Sequence, residues 1–251
     1  MELKQLVTIR CRGVIFPNIQ AVIFDKDGTL EDSQEFLRNL GQKRARLIDA
    51  QVPGIGEPLL MAFGIDGNKL DPTGLLAVGS RQETEIASAA YIAETGKGWL
   101  ESRAIARRAF DEADQFLKSA PASPLFTGSL EVLQLLYNAG LKLGILSAAR
   151  TQSVQDFVDR HQLNDYIQLI MGVDQGVTKP DPALFLQACE KLGVEPSATL
   201  MVGDSGGDIE MARNGGAAGC IGICWGKPAA AHLETADVAI AQLDEIQIVD
   251  N

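Results

Sequence analysis

From about Lys142 onward, short apolar runs alternate with segments of helical spacing, and this alternation limits the possible folds more than any other feature. The runs are Lys142–Leu146, Ile167–Met171, Thr199–Val202, Gly219–Ile223 and Val238–Ile240. Uninterrupted apolar runs bounded by turns are the pattern of strands buried on both faces. Between them, Val154, Phe157, Val158 and His161 fall on one helical face, as do Phe185, Ala188, Cys189 and Leu192. For the second of these helices, Asp181 is placed as N-cap, Pro182 at the first helical position and Gly193 at the stop. A helix near Asp208–Asn214 similarly ends at Gly215-Gly216. Strict strand–helix alternation predicts an α/β fold with a doubly wound, Rossmann-like parallel sheet. Ala21–Phe24 reads as a further strand of that sheet, broken off by Asp25.

Residues 33–124 depart from the alternation. Stretches such as Glu83–Ala93 and Ser102–Leu117 are rich in Ala, Leu, Glu, Gln and Arg, and strong β runs are lacking. The reading is a helical cap domain, 33–124, inserted into a core formed by 1–32 and 125–251. Pro121-Ala122-Ser123-Pro124 serves as the return linker. Val7–Phe16 is expected to add a strand or hairpin at the sheet edge.

The formal net charge is −11, and no lysine–arginine block occurs. Nucleic acids and anionic membranes are therefore poor partners, whereas an anionic small substrate is not forbidden, since a local metal and a few basic side chains can reverse the field within one cleft. Four scattered cysteines give neither a disulfide framework nor a zinc site. Basic residues at Lys4, Arg10 and Arg12 precede an apolar stretch, Gly13–Phe16, too short for a signal-peptide core. No apolar run approaches the ~20 residues of a membrane span, so a cytoplasmic location is expected.

Ligands of an open parallel sheet bind beyond the carboxyl ends of its strands, and four polar clusters fall there. Asp25-Lys26-Asp27-Gly28 sets two carboxylates two residues apart, one able to attack or ligate a hard cation while the other moves protons. Ser147, after Gly144-Ile145-Leu146, offers a hydroxyl to an anion, although a serine here also suits an N-cap; Arg150 is better read as solvent-facing. Lys179, among Pro180 and Pro182, can neutralise an anion, although a lone lysine is ordinarily a surface charge. Gly203-Asp204-Ser205-Gly206-Gly207-Asp208 places two acids around a glycine turn, as a Mg2+ site requires, although Asp208 also fits a helix cap.

In this order and spacing, the four clusters resemble the haloacid dehalogenase superfamily of aspartate-nucleophile phosphatases. The resemblance spans about Ala21–Ser33 and Leu125–Ile240. It implies Asp25 as nucleophile, Asp27 as general acid/base, and Ser147 and Lys179 as phosphate binders. It further implies Mg2+ as cofactor, held by Asp25, the backbone carbonyl of Asp27 and Asp204, with Asp208 in support. The helical insertion, Trp225-Gly226 and Ala236-Asp237-Val238 look like the phosphoglycolate phosphatase and β-phosphoglucomutase branch. Two positions depart from the pattern: no asparagine follows Ser147, and Lys26 stands where the family often has an apolar residue.

The implied reaction is Mg2+-dependent hydrolysis of a small phosphate monoester, phosphoglycolate-like or a sugar phosphate, through an aspartyl-phosphate. A β-phosphoglucomutase-like mutase is the nearest alternative. A hydrolytic dehalogenase would need neither Asp27 nor Asp204, and a non-catalytic phosphate binder would be expected to lack Asp25 or Lys179. Arg81, after Gly79-Ser80, is a candidate substrate contact in the cap, weighed against a helix-start arginine paired with Glu83 or Glu85. His161 and His232 are assigned no role.

Overall fold

The computed structural model describes residues 6–117, 122–225 and 230–249. Lys4, Pro121 of the return linker and Gly226 lie outside these. The chain divides into two compact units, Met1–Asp32 with Leu125–Asn251, and Ser33–Pro124.

In the first unit, six parallel strands stand in the order β10-β9-β8-β3-β6-β7. They are β3 (Ala21–Phe24), β6 (Lys142–Leu146), β7 (Leu169–Met171), β8 (Thr199–Gly203), β9 (Gly219–Ile223) and β10 (Val238–Ile240). Every residue of β3, β8 and β9 is buried, which is why their sequences are continuous rather than alternating apolar runs. On one face, Val22, Phe24, Leu143 and Ile145 pack with Val132, Leu136, Val154 and Phe157 of α6 (Ser129–Asn138) and α7 (Thr151–Arg160). On the other, Ile23 and Met201 pack with Phe185, Cys189 and Ile209 of α8 (Pro182–Leu192) and α9 (Gly206–Asn214). Asp181 caps α8 by accepting from Ala183 N, and Gly193 closes it in the left-handed conformation.

The N-terminal hairpin forms but does not extend this sheet. β1 (Val7–Cys11) and β2 (Val14–Ile19) join β11 (Ile246–Val249) in a separate antiparallel sheet ordered β11-β1-β2. Arg12 (φ 47°) and Gly13 (φ 90°) turn the hairpin, both with the positive φ that a two-residue loop demands. Ile9, Cys11, Phe16 and Ile246 add to the core on the α6–α7 side of the parallel sheet. The strand at residues 246–249 is absent from the sequence reading.

The second unit contains α1 (Gln34–Asp49), α2 (Gly56–Phe63), α3 (Leu75–Val78), α4 (Arg81–Glu94) and α5 (Trp99–Leu117). Ile48, Leu59, Phe63, Ile92 and Phe110 form its own core. A two-residue-per-strand hairpin, β4 (Ile65–Asp66) with β5 (Lys69–Leu70), qualifies the purely helical expectation. Ser80 and Glu83 form a reciprocal capping box at the start of α4. No helix of the described residues is long and apolar enough to cross a membrane.

Candidate active site

β3 lies at the centre of the sheet, with β8 on one side and β6 on the other, and here the strand order reverses direction. This is the switch point at which open α/β sheets present a crevice. The register pairs Phe24 with both Ile145 and Val202. Asp25, Ser147 and Asp204 therefore leave three adjacent strands at the same carboxyl edge, and the Asp25 amide donates to Val202 O at 2.9 Å.

Lys179, just before α8, reaches into this group. Its Nζ donates to Asp25 Oδ1 at 2.5 Å and stands 2.6 Å from Asp208 Oδ1. The second contact is an ion pair whose angle falls outside hydrogen-bond geometry, which leaves Asp208 Oδ1 without a conventional donor. Asp208 Oδ2 accepts from the Ser205 hydroxyl (2.6 Å) and amide (3.2 Å). Asp208 thus holds the capping box of α9 with one oxygen and Lys179 with the other, so the two sequence readings of this residue coexist.

Burial pushes the Asp25 carboxyl up from 3.8 to about 7; Lys179 opposes the rise, and Asp208 and Asp27 reinforce it. Burial, then repulsion from Asp25 and Asp208, raises Asp204 well above the usual carboxylate range. For Lys179, burial alone would favour the neutral amine, but Asp208 and Asp25 outweigh it and hold the ammonium.

Carboxylate oxygens of Asp25, Asp204 and Asp208 lie within 4.8 Å of one another. Against these three carboxyl groups the direct cationic partner is Lys179, so if all three were ionised two negative charges would be left over in a buried volume. Hard oxygen donors with that imbalance suit a small divalent cation. The backbone is shaped to the same end: Gly28 has φ +78°, and a Cβ there would fall onto the Asp204 carboxylate. A Cβ on Gly203 would similarly meet Asp208. Thr29 Oγ1 stands 3.5 Å from Asp204 Oδ1.

Ser147 is buried, and its Oγ accepts from the Ala149 amide at 3.1 Å. A Cβ on Gly172 would collide with Ala149 O and Thr151 N, so that glycine lets the 147–151 turn pass close to the end of β7. Arg150 is exposed. Asp27 turns its Oδ1 to Lys26 Nζ at 2.6 Å.

Arg81 belongs to the second unit and is engaged there by Glu85 (2.6 Å), Asp111 (2.5 Å) and Asp114 (2.9 Å). This is the paired helix-start arginine, with Glu85 among its partners, while Glu83 serves the Ser80 cap instead.

The roles of three contributors escaped the sequence reading. His232 Nε2 lies 3.0 Å from Asp204 O, so the histidine given no role braces the loop of the acidic cluster. Trp225 Nε1 donates to Gly28 O at 3.0 Å while its ring stacks on Phe126 at 4.1 Å. Lys26 is buried and pairs with Glu31 as well as Asp27. Of these, only Lys26 had a local signal: it continues the inward parity of Val22 and Phe24.

The haloacid dehalogenase-like hydrolase profile matches residues 19–216. A phosphoglycolate phosphatase of Vibrio vulnificus is 30% identical over 209 residues, covering 83% of this chain and 85% of its own length. A crystal structure of a predicted phosphoglycolate phosphatase from Haemophilus somnus superposes with a TM-score of 0.68 at 22% identity, covering 90% of this chain and 95% of that one. A β-phosphoglucomutase of Clostridium difficile gives 0.63 at 18% identity, covering 90% and 92%. These last two share the fold. The chain is an enzyme that belongs to the haloacid dehalogenase-like hydrolase family, with phosphoglycolate phosphatases among its relatives.

Proposed function

We propose that this chain is a phosphoric monoester hydrolase that cleaves a small phosphate ester through an aspartyl-phosphate on Asp25. One observation carries the reading: Asp25 and Lys179 are 2.5 Å apart at the switch point, beside the Asp204–Asp208 carboxylates. A dehalogenase has no need of that acidic surplus.

Mg2+, held by Asp25, Asp204 and the main chain at Asp27, would supply charge neutralisation to the phosphoryl group and to the nucleophile. Lys179 binds a phosphate oxygen and orients Asp25, and Asp208 keeps Lys179 in place. Ser147 and the amides after it bind a second phosphate oxygen. An Asp25 oxygen attacks phosphorus as the ester P–O bond breaks, and Asp27 gives its proton to the departing alkoxide. Asp27 then takes a proton from the water that attacks the aspartyl-phosphate, which frees inorganic phosphate and the Asp25 carboxylate. The inserted unit, 33–124, corresponds by its place in the chain to the family's cap domain. Four free cysteines suit a reducing, cytoplasmic setting.

A phosphate-release screen over small monoesters, including phosphoglycolate and hexose phosphates, with and without Mg2+, tests the reading. Release that needs both Mg2+ and Asp25 is expected. Turnover undiminished in chelator, or in Asp25→Asn, overturns it, and isomerisation outrunning phosphate release identifies a mutase instead.

A further inference from the structure

Between the two aspartates of the site stands a buried lysine. Lys26 is 6% exposed. It continues the face of Val22 and Phe24, and its Nζ lies 5.6 Å from the centre of the Phe157 ring. Lys26 donates to Asp27 Oδ1 and to Glu31 Oε2, each at 2.6 Å. Glu31 is itself 5% exposed. Its main chain is fixed by accepting from Gly28 N at 2.9 Å and donating to Lys26 O at 3.0 Å. The three ions thus form one closed loop of side-chain and backbone contacts.

Stability does not explain such a cluster. Desolvating an ion pair costs several kcal/mol per ion, and apolar residues of similar volume commonly replace one without loss. The Phe157 ring already supplies an apolar wall there. What an apolar pair would not provide is a donor aimed at one named oxygen of Asp27. That carboxyl is otherwise without a hydrogen-bond partner among the described residues, and its side chain is 18% exposed. Left alone, it would sample several rotamers.

We propose that Lys26, itself anchored by Glu31, is a positioning residue that fixes the Asp27 carboxyl through Oδ1 and leaves Oδ2 as the proton-transferring atom. Oδ2 gives its proton to the ester oxygen as the P–O bond breaks. The same atom later takes a proton from the water that attacks the aspartyl-phosphate, so the cycle closes without another donor. Glu31 balances the ammonium, so Lys26 acts as an oriented donor and not as a surplus positive charge beside the acid. This inference rests on the acid/base role proposed for Asp27.

The test compares p-nitrophenyl phosphate with phenyl phosphate, two substrates of nearly the same shape. The p-nitrophenolate leaves without a proton, whereas phenolate is the poorer leaving group and profits from one. The ratio of kcat/KM for phenyl over p-nitrophenyl phosphate therefore reads proton delivery in the phosphoryl-transfer step. Because both substrates are assayed on one preparation, the folded fraction cancels. In Lys26→Met/Glu31→Leu, which leaves neither ion stranded, Tm should stay near wild type while the ratio falls about tenfold, a part of the ~10²–10⁴ that general acid–base catalysis supplies. Asp27→Asn should lower it at least as far, and Lys26→Arg, which keeps a charged donor, should recover most of it. An unchanged ratio in the double variant, with a collapsed one in Asp27→Asn, overturns the role of Lys26. An unchanged ratio in Asp27→Asn overturns the acid/base reading itself, and the inference with it. Should the double variant not fold, Lys26→Met, which has no donor, reads the same ratio with the same two outcomes.

Discussion

In the core unit, Asp25, Asp204 and Asp208 converge on Lys179; in the inserted unit, Arg44, Arg81 and Arg107 meet Glu85, Asp111 and Asp114 beside Phe110. Both clusters are dense with charge, and both draw on residues distant in sequence. The first carries more carboxylates than cations, and its Asp25 carboxyl is pushed up to about 7 by burial. In the second, three guanidinium groups face three carboxylates. Asp114 bridges Arg44 and Arg81 at 2.9 Å each, and the Arg44 guanidinium lies 4.1 Å over the Phe110 ring. Balance marks a scaffold, because the charges satisfy each other and no ligand is needed. Imbalance marks a site, because the cluster's own cation cannot neutralise it and a proton or a bound ion must.

The comparison breaks most visibly if the two clusters respond alike to mutation. Asp25→Asn should cut kcat by on the order of 10⁴-fold or more while leaving the fold intact. Arg81→Ala should keep kcat/KM for p-nitrophenyl phosphate within about threefold. Steady-state kinetics on both variants decides it, and equal losses would refute the division.

Stability should respond in the opposite order. Arg81→Ala leaves Asp114 with Arg44 and Glu85 with Arg107 but removes the guanidinium that joins them, and should cost about 1–3 kcal/mol in denaturant unfolding. A loss below ~0.5 kcal/mol would mean that the network is ornamental.

The charge surplus predicts a specific response to metal. Mg2+ at about 100 times its Kd should stabilise the wild type by ~2.7 kcal/mol, and chelator should remove both that gain and turnover. Asp204→Asn should lose most of the gain. Equal stabilisation of the two proteins by Mg2+ would move the cation elsewhere.

The smallest effect concerns pH in metal-free protein. Between 3.8 and about 7, the unfolded chain has released the Asp25 proton while the folded chain still holds it. The unfolded state then binds fewer protons, so stability falls as pH rises through that window. A net change of ~1 kcal/mol would lower Tm by about 2–4 °C. Asp25→Asn, which does not titrate, should flatten the slope, and an unaltered slope would assign it to another group.

Much of this was legible in the chain, and the remainder was hidden for physical reasons. Buried parallel strands must be apolar throughout, so Lys142–Leu146, Gly219–Ile223 and Val238–Ile240 stand out with the bounds they have in the sheet. Asp25, Ser147 and Asp204 follow, since each directly succeeds such a run. The Val7–Ile19 hairpin could be suspected, but its partner strand at residues 246–249 could not, because antiparallel pairing over so long a separation leaves no local mark. His232 meets the main-chain oxygen of Asp204, an acceptor every residue offers, so nothing in sequence singles it out. Arg81 stood between two readings for a related reason. Glu83 and Glu85 are close in sequence, but Asp111 and Asp114 reach it only once α4 and α5 have packed.

The junction of the two units carries a consequence for how such a chain can change over time. Glu31 pairs with Leu125, and Phe126 N donates to Leu30 O at 3.0 Å, so the core fastens the departing and returning ends of residues 33–124 side by side. To the core, everything between them is one excursion with its mouth already tied. The entropy of closing a loop grows only logarithmically, by ~0.6 kcal/mol for each doubling of length. The excursion can therefore be lengthened, pared down or exchanged at little cost to the sheet. Such a chain can acquire a new clientele by refitting one insert while the chemistry on β3 stays as it was.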